Sequence, residues 1–306
     1  MEADAVHVRA TDDVQTARRN ETTTPRHAAR RATYSARATR LPVRALLLPR
    51  RYRGTLAALA AFYRETRTLG TATPAHRARL DHWEADIRRV WTVNTLDHPI
   101  LSPLASHGLP YEPLLALLAA QRERQETTAY ETYDDLLIYC ARATNPLGQL
   151  VLAILGYDDE ERIAFSDAIC TAVQLTAFWR DVARDHVRGR TYLPREDMHL
   201  FGVSDADLTQ AVANRRADTN IRALMAFEIE RVVELFHLGA PLVTMLRGRA
   251  RLDCALIISE GRAMLGAIVK QGYDPFVARP HLTRTARAGK LLGAVRSISE
   301  ETLHNR

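Results

Sequence analysis

Residues Asp167–Met198 read DAICTAVQLTAFWRDVARDHVRGRTYLPREDM, and this stretch decides both fold class and chemistry. Its first part has helical periodicity, with apolar Ile169, Val173, Phe178 and Val182 set against a polar stripe. Gln174, Ala177, Asp181, Asp185 and Arg188 follow one another at steps of three or four, which stacks them on one helical face. Gly189 ends the run and Pro194 opposes a restart.

Two carboxylates at i and i+4 among apolar neighbours need a partner, because a bare buried charge costs several kcal/mol. One reading is a solvated helix face. The other is a divalent cation: Mg²⁺ takes one or two protein carboxylates and completes its shell with water and substrate phosphate oxygens. Arg180, Arg184, Arg188 and Arg190 lie close in sequence, and guanidinium suits phosphate.

The longer string favours the second reading. QLTAFWRDVARD followed by GRTYLPRED resembles the second aspartate-rich motif and following flap of the squalene/phytoene synthase family. YCARATNPLGQLVL (Tyr139–Leu152) and LPRRYRGTLAALAAFYRETRTLG (Leu48–Gly70) resemble two further stretches of that family. FEIERVVELFHLGAPL and GRAMLGAIVKQGYD resemble its late helices. The resemblance runs from about Leu41 to about Leu292 and is nearest to the bacterial squalene-forming branch.

Composition agrees with a globular chain. Hydrophobic residues make up 46% and charged residues 25% of 306 residues, enough for one large domain. Cys140, Cys170 and Cys254 are widely spaced with no CxxC pair. That excludes a zinc framework and points to a reducing cytoplasm. No apolar run has the length of a membrane span, and MEADAVHVRATDD lacks the order of a signal peptide. The net charge of +6 is almost all arginine, but the basic N-terminus has no interleaved aromatics, which argues against nucleic acid.

Residues 1–40 show no apolar period and are expected to form a disordered basic extension. From Leu41 to Leu292 the pattern is helical almost throughout, with no strand alternation. Helices are expected up to Gly70, from Pro74, over Leu114–Gln125, Tyr133–Ala143 and Leu150–Leu155, and then along a long segment ending near Gly189. Asp158 with Glu161 is the expected cap of that long helix, and Ser204 of a short one. Asp134 and Asp135 read as helix-start residues. Thr219–Leu246 and Leu252–Gln271 follow, and a basic helix is expected beyond Pro280, leading into a tail at 293–306. The pattern predicts an all-α single domain with a central cavity. The resemblance implies that it is the isoprenoid-synthase bundle.

Enzymes of the resembled family usually join two prenyl diphosphates head to head, holding Mg²⁺ between two facing aspartate-rich motifs. Here the stretch aligned with the first motif, after Arg64, reads Arg67, Thr68, Leu69, Gly70, Thr71. Its carboxylates are gone and one has become a cation. A guanidinium about 5 Å from Mg²⁺ repels it by roughly 6–7 kcal/mol at an effective dielectric near 20. Ala177 stands where the family commonly has asparagine, and Ala60 where tyrosine is common.

The resemblance therefore implies one working wall. Asp181 and Asp185 are the expected metal ligands, and Tyr139 completes the catalytic set. Arg64, Arg67, Gln174, Arg180 and Arg190 are expected around diphosphate, with Phe178, Tyr63 and Ala177 lining the cavity. By residue type alone, Phe178 and Tyr139 read first as packed core residues and only second as cavity lining or catalytic acid. The expected activity is Mg²⁺-dependent transfer from an allylic diphosphate to a non-diphosphate, aromatic acceptor of indole or carbazole type. A small phytoene-synthase-like branch performs such chemistry. The alternatives are head-to-head synthesis with an altered first motif, in which Arg67 contacts phosphate directly, and a non-catalytic partner protein.

Overall fold

The computed structural model describes residues 50–93 and 97–282, and all regular elements among them are helices. The expected N-terminal extension, the final basic helix and the 293–306 tail lie outside these residues. In chain order the helices are α1 (Arg50–Arg67), α2 (Pro74–Val93), α3 (Leu101–Ala105), α4 (Glu112–Glu126), α5 (Tyr133–Ala143) and α6 (Asn145–Leu155). Then come α7 (Glu160–Val187), α8 (Arg195–Leu200), α9 (Asp205–Asn214), α10 (Thr219–Gly239), α11 (Leu242–Met245) and α12 (Gly248–Lys270). None of the helices in the described residues is long and apolar enough to cross a membrane.

The 28-residue α7 is the axis of the bundle. It packs against α5, α6, α9, α10, α11 and α12, most extensively against α10. Leu175 and Trp179 at its centre have no exposed surface. Burying each large apolar side chain of this kind stabilises the fold by about 1.5–3 kcal/mol.

The core falls into two clusters. One gathers Leu56, Leu59 and Phe62 of α1, Trp83 and Ile87 of α2, and Leu114 and Leu117 of α4. The other gathers Leu175 and Trp179 of α7, Met225 and Phe236 of α10, and Ile268 of α12. Helix α6 serves both, giving Leu147, Leu150 and Ile154 to the first and Leu152 to the second. The candidate site residues border the seam between these clusters, with Phe178 and Tyr139 in the second and Tyr63 packed against the first.

Local signals account for most boundaries. Pro74 opens α2, and Thr132 and Ser204 head reciprocal capping boxes with Asp135 and Asp207. Three expectations need correction. The cap of α7 is Asp159, which accepts from the Arg162 backbone N–H; it is not Asp158. The helix expected over Leu150–Leu155 begins earlier, at Asn145, and takes in Pro146 and Gly148, because proline is tolerated in the first turn. Gly148 instead allows close contact with α7: a Cβ there would lie 2.5 Å from Ser166 Oγ and 2.7 Å from Cys170 Sγ. The segment from Thr219 divides at Ala240–Pro241 into α10 and α11.

The α7–α10 contact depends on Gly239. A Cβ at that position would lie 2.5 Å from Ile169 Cγ1 and 2.9 Å from the Phe165 carbonyl oxygen. Backbone cannot retreat as a side chain can. Gly239→Ala is expected to destabilise the fold by about 1–3 kcal/mol, read as a lower urea midpoint.

A buried acid sits under the flap helix α8. Glu228 of α10 has no exposed surface, and Arg231 lies 3.9 Å away while holding Asp197 of α8 at 2.7 Å. The Arg231 guanidinium also covers the rings of Tyr133 and Phe227. Burial, aided by the Asp197 charge and opposed by Arg231, pushes the Glu228 pKa from 4.5 to about 9. Between those values the folded chain keeps a proton that the unfolded chain has released. The contribution of this group to stability therefore falls as pH rises through that window. Glu228→Gln is expected to raise the thermal midpoint more at about pH 8 than at about pH 5. An equal shift at both would contradict the assignment.

Candidate active site

Asp181 and Asp185 lie one turn apart on α7 and are 4% and 7% exposed. Three guanidinium groups converge on Asp181. Arg180 Nη2 donates to Oδ2 at 2.5 Å, Arg184 Nη2 to Oδ2 at 2.9 Å, and Arg279 Nε to Oδ1 at 2.5 Å. Burial alone would raise the pKa of Asp181. The hydrogen bonds from Arg180 and Arg279 outweigh burial and lower it to about 2. Asp185 has weaker support, an Arg184 contact of 3.5 Å. Burial raises its pKa above the usual carboxylate value, and the Asp181 charge adds to the rise.

Arg279 reaches α7 from a segment remote in sequence. Asp274, fully buried, accepts hydrogen bonds from the backbone N–H groups of Ala217, Phe276 and Val277. It also accepts from Arg222 at 3.0 Å. These bonds fix the chain after α12 against the loop before α10, and Arg279 follows five residues on. Sequence reading stopped its last resembling stretch at Asp274 and did not see this residue. The only signal in the sequence was a basic residue shortly after the final recognisable helix.

The flap joins α7 to α8 and lies along the α4–α5 loop. Backbone N–H groups of Thr191, Arg195 and Glu196 donate to the carbonyls of Thr128, Tyr130 and Glu131. This pairing lays Tyr192 flat on Phe178, with ring centroids 3.7 Å apart and planes within 8°. Tyr139 packs 6.3 Å from Phe178 and 5.4 Å from Tyr130. Four aromatic rings from two helices, a loop and the flap thus form one block beside the acidic face. Burial raises the pKa of Tyr139, so its hydroxyl is neutral.

The opposite wall is cationic. Tyr63 of α1 faces Cys170 of α7 and lies within electrostatic reach of Arg67 and Arg124. Arg67 is exposed, and Arg64 is half-buried in the last turn of α1. Arg124 of α4 lies within reach of Tyr192, Tyr139 and Asp185, and so spans toward the acidic wall.

Of the sequence-derived site residues, the fold brings together Asp181, Asp185, Arg180, Phe178 and Tyr139, with Tyr63 and Arg67 across the seam. Gln174 and Ala177 are half-buried on the same stripe of α7. Arg188 leaves that stripe: it is the exposed C-cap of the helix. Arg190 Nη1 donates to the Thr127 carbonyl at 2.9 Å, which ties the flap down. Arg184, noted in the sequence as a guanidinium near the aspartates, joins them, whereas Arg124, Tyr130, Tyr192 and Arg279 were not foreseen.

The donor set constrains any metal. No grouping of three or more His, Cys, Asp or Glu placed to hold a metal ion occurs among the described residues. Asp181 and Asp185 fit a single Mg²⁺ that completes its shell with phosphate oxygens. They do not fit a metal cluster spanning both walls. A cation can share Asp181 when the three guanidinium groups turn to the incoming phosphate, for which their planar forks are suited.

Comparison with known proteins agrees with this arrangement. The squalene/phytoene synthase family model matches residues 36–286. Phytoene synthase of Arthrospira platensis is 30% identical over 223 residues, covering 66% of this chain and 70% of that protein. 15-cis-phytoene synthase of a Synechocystis strain is 30% identical over 258 residues, covering 78% and 74%. Among solved structures, squalene synthase HpnC from Alicyclobacillus acidocaldarius superposes with TM-score 0.70 and 36% identity, covering 76% of this chain and 88% of that one. A dehydrosqualene synthase with bound ligand gives TM-score 0.74 at 22% identity over 84% and 90%, a likeness of fold alone. With an all-α bundle, one buried aspartate pair and a match over most of its length, this chain belongs to the squalene/phytoene synthase family of diphosphate-releasing prenyltransferases.

Proposed function

We propose that the protein ionises one prenyl diphosphate on the Asp181/Asp185 wall and transfers the prenyl group to an acceptor that carries no diphosphate, of aromatic indole or carbazole type. The observation that carries this reading is the asymmetry of the seam. One wall holds two buried carboxylates, and the other presents Arg67 and Arg124 with no carboxylate replacing the lost motif. Asp181 and Asp185 would hold Mg²⁺, which when bound neutralises charge on the departing diphosphate. Arg180, Arg184 and Arg279 take its oxygens as the C–O bond breaks and the electron pair leaves with diphosphate. The faces of Phe178, Tyr192 and Tyr139 shelter the allylic cation from water. The acceptor carbon then attacks, and its proton passes to diphosphate or water.

A second reading has its own support. The 36% identity to a protein named squalene synthase favours two prenyl diphosphates, with Arg67 and Arg124 holding the second without metal.

Incubation with dimethylallyl diphosphate, Mg²⁺ and indole or carbazole acceptors tests the first reading. Acceptor-dependent diphosphate release and a prenylated product are expected, reduced by about 10²-fold or more in Asp181→Asn. Release with farnesyl or geranylgeranyl diphosphate alone, giving a head-to-head product, would establish the second reading instead.

A further inference from the structure

The wall opposite Asp181 carries a cation that no carboxylate neutralises by direct contact. Arg124 makes no ion pair within 4.0 Å among the described residues, and its Nε is buried without a hydrogen-bond partner. Gln121 Oε1 beside it also lacks a partner, and the Tyr192 hydroxyl, without a hydrogen bond of good geometry, has the Arg124 guanidinium as its neighbour. Arg124 and Tyr192 lie together, and both Arg124 and Gln121 border Gly70. A Cβ on Gly70 would lie 2.8 Å from Arg124 Cδ and 2.9 Å from Gln121 Oε1. The glycine in the altered first motif therefore makes the room that the arginine fills.

Buried polar groups are almost always paired, and a half-buried guanidinium that leaves its inner N–H unpaired is costly. Arg124 Nε and the Tyr192 hydroxyl are donors, and the Gln121 amide can offer its NH₂ by rotating; gathered at one place, they mark where a ligand belongs. A carboxylate that acts on Arg124 at longer range is Asp185, on the far wall. The chemistry that satisfies a guanidinium fork and a hydroxyl together is an oxyanion.

We propose that Arg124, with Tyr192 Oη and the Gln121 amide, forms a metal-independent oxyanion subsite that binds a carboxylate or phosphate group of the second substrate. The proposal rests on the reading of the seam as the substrate chamber. It adds that the co-substrate is anionic and that its anchor is an arginine, not a metal. The first wall thus keeps its task of binding negative charge with the opposite means.

Calorimetric titration of the full-length protein in EDTA tests it, using inorganic pyrophosphate in one arm and indole-3-carboxylate in the other. Binding is expected in at least one arm, and the tighter arm names the source of the oxyanion. Arg124→Gln is expected to weaken it about tenfold or more, and Arg124→Lys less, because charge remains while the fork is lost. If Arg124→Gln does not fold by circular dichroism, Gly70→Ala displaces the Arg124 side chain and is expected to weaken binding in the same arm. No binding in either arm, or unchanged affinity in the folded variants, overturns the proposal. The chamber reading fails separately, if the wild-type protein with Mg²⁺ releases no diphosphate from any allylic diphosphate.

Discussion

A buried carboxylate held by three guanidinium groups organises this molecule. Asp181 is almost fully buried on the longest helix, and its charge is tolerable only because Arg180, Arg184 and Arg279 surround it. Two of these come from α7 itself, and the third comes from a segment nearly a hundred residues away. The interaction joins the axis of the bundle to the end of the described chain. Without the Asp274 anchor behind it, Arg279 would have no reason to be at this place.

The same cluster explains how charge is distributed across the seam. On the α7 wall cations outnumber carboxylates, so that wall attracts anions even where it can also hold a cation. On the facing wall the cations Arg67 and Arg124 act on Tyr63. Proteins of this family need to draw two halves of a reaction together around negative phosphate. In this chain the cations gathered at the seam are arginines. Guanidinium costs less to desolvate than ammonium and offers planar, paired donors, which suits repeated use at one site.

The flap couples chemistry to stability. Its backbone bonds along residues 128–131 place Tyr192 on Phe178, and Arg190 reinforces the seam with Thr127. Helix α8 then continues over Glu228 and Arg231. The aromatic block and the buried proton are thus two ends of one covering element. Arg190, expected around diphosphate, also donates to the Thr127 carbonyl of the loop beneath the flap. Tyr139, which the sequence offered as a core tyrosine or a catalytic acid, is buried in the second core cluster beside Phe178, with its hydroxyl neutral.

The sequence by itself determined the helical class, most helix boundaries and the acidic face of α7, because period, proline, glycine and capping residues act over one or two turns. It also determined the loss of the first motif, since Arg67 and Gly70 can be read without any fold. What only the tertiary structure decided is which distant groups meet that face. Arg124, Tyr130, Tyr192 and Arg279 carry no local pattern that distinguishes them from surface arginines or core aromatics. Their placement follows from the packing of α4, the pairing of the flap and the anchoring of Asp274, all contacts between residues far apart in the chain. The shift of the α7 cap from Asp158 to Asp159 shows the same limit at short range, where two adjacent aspartates compete and only backbone geometry selects one.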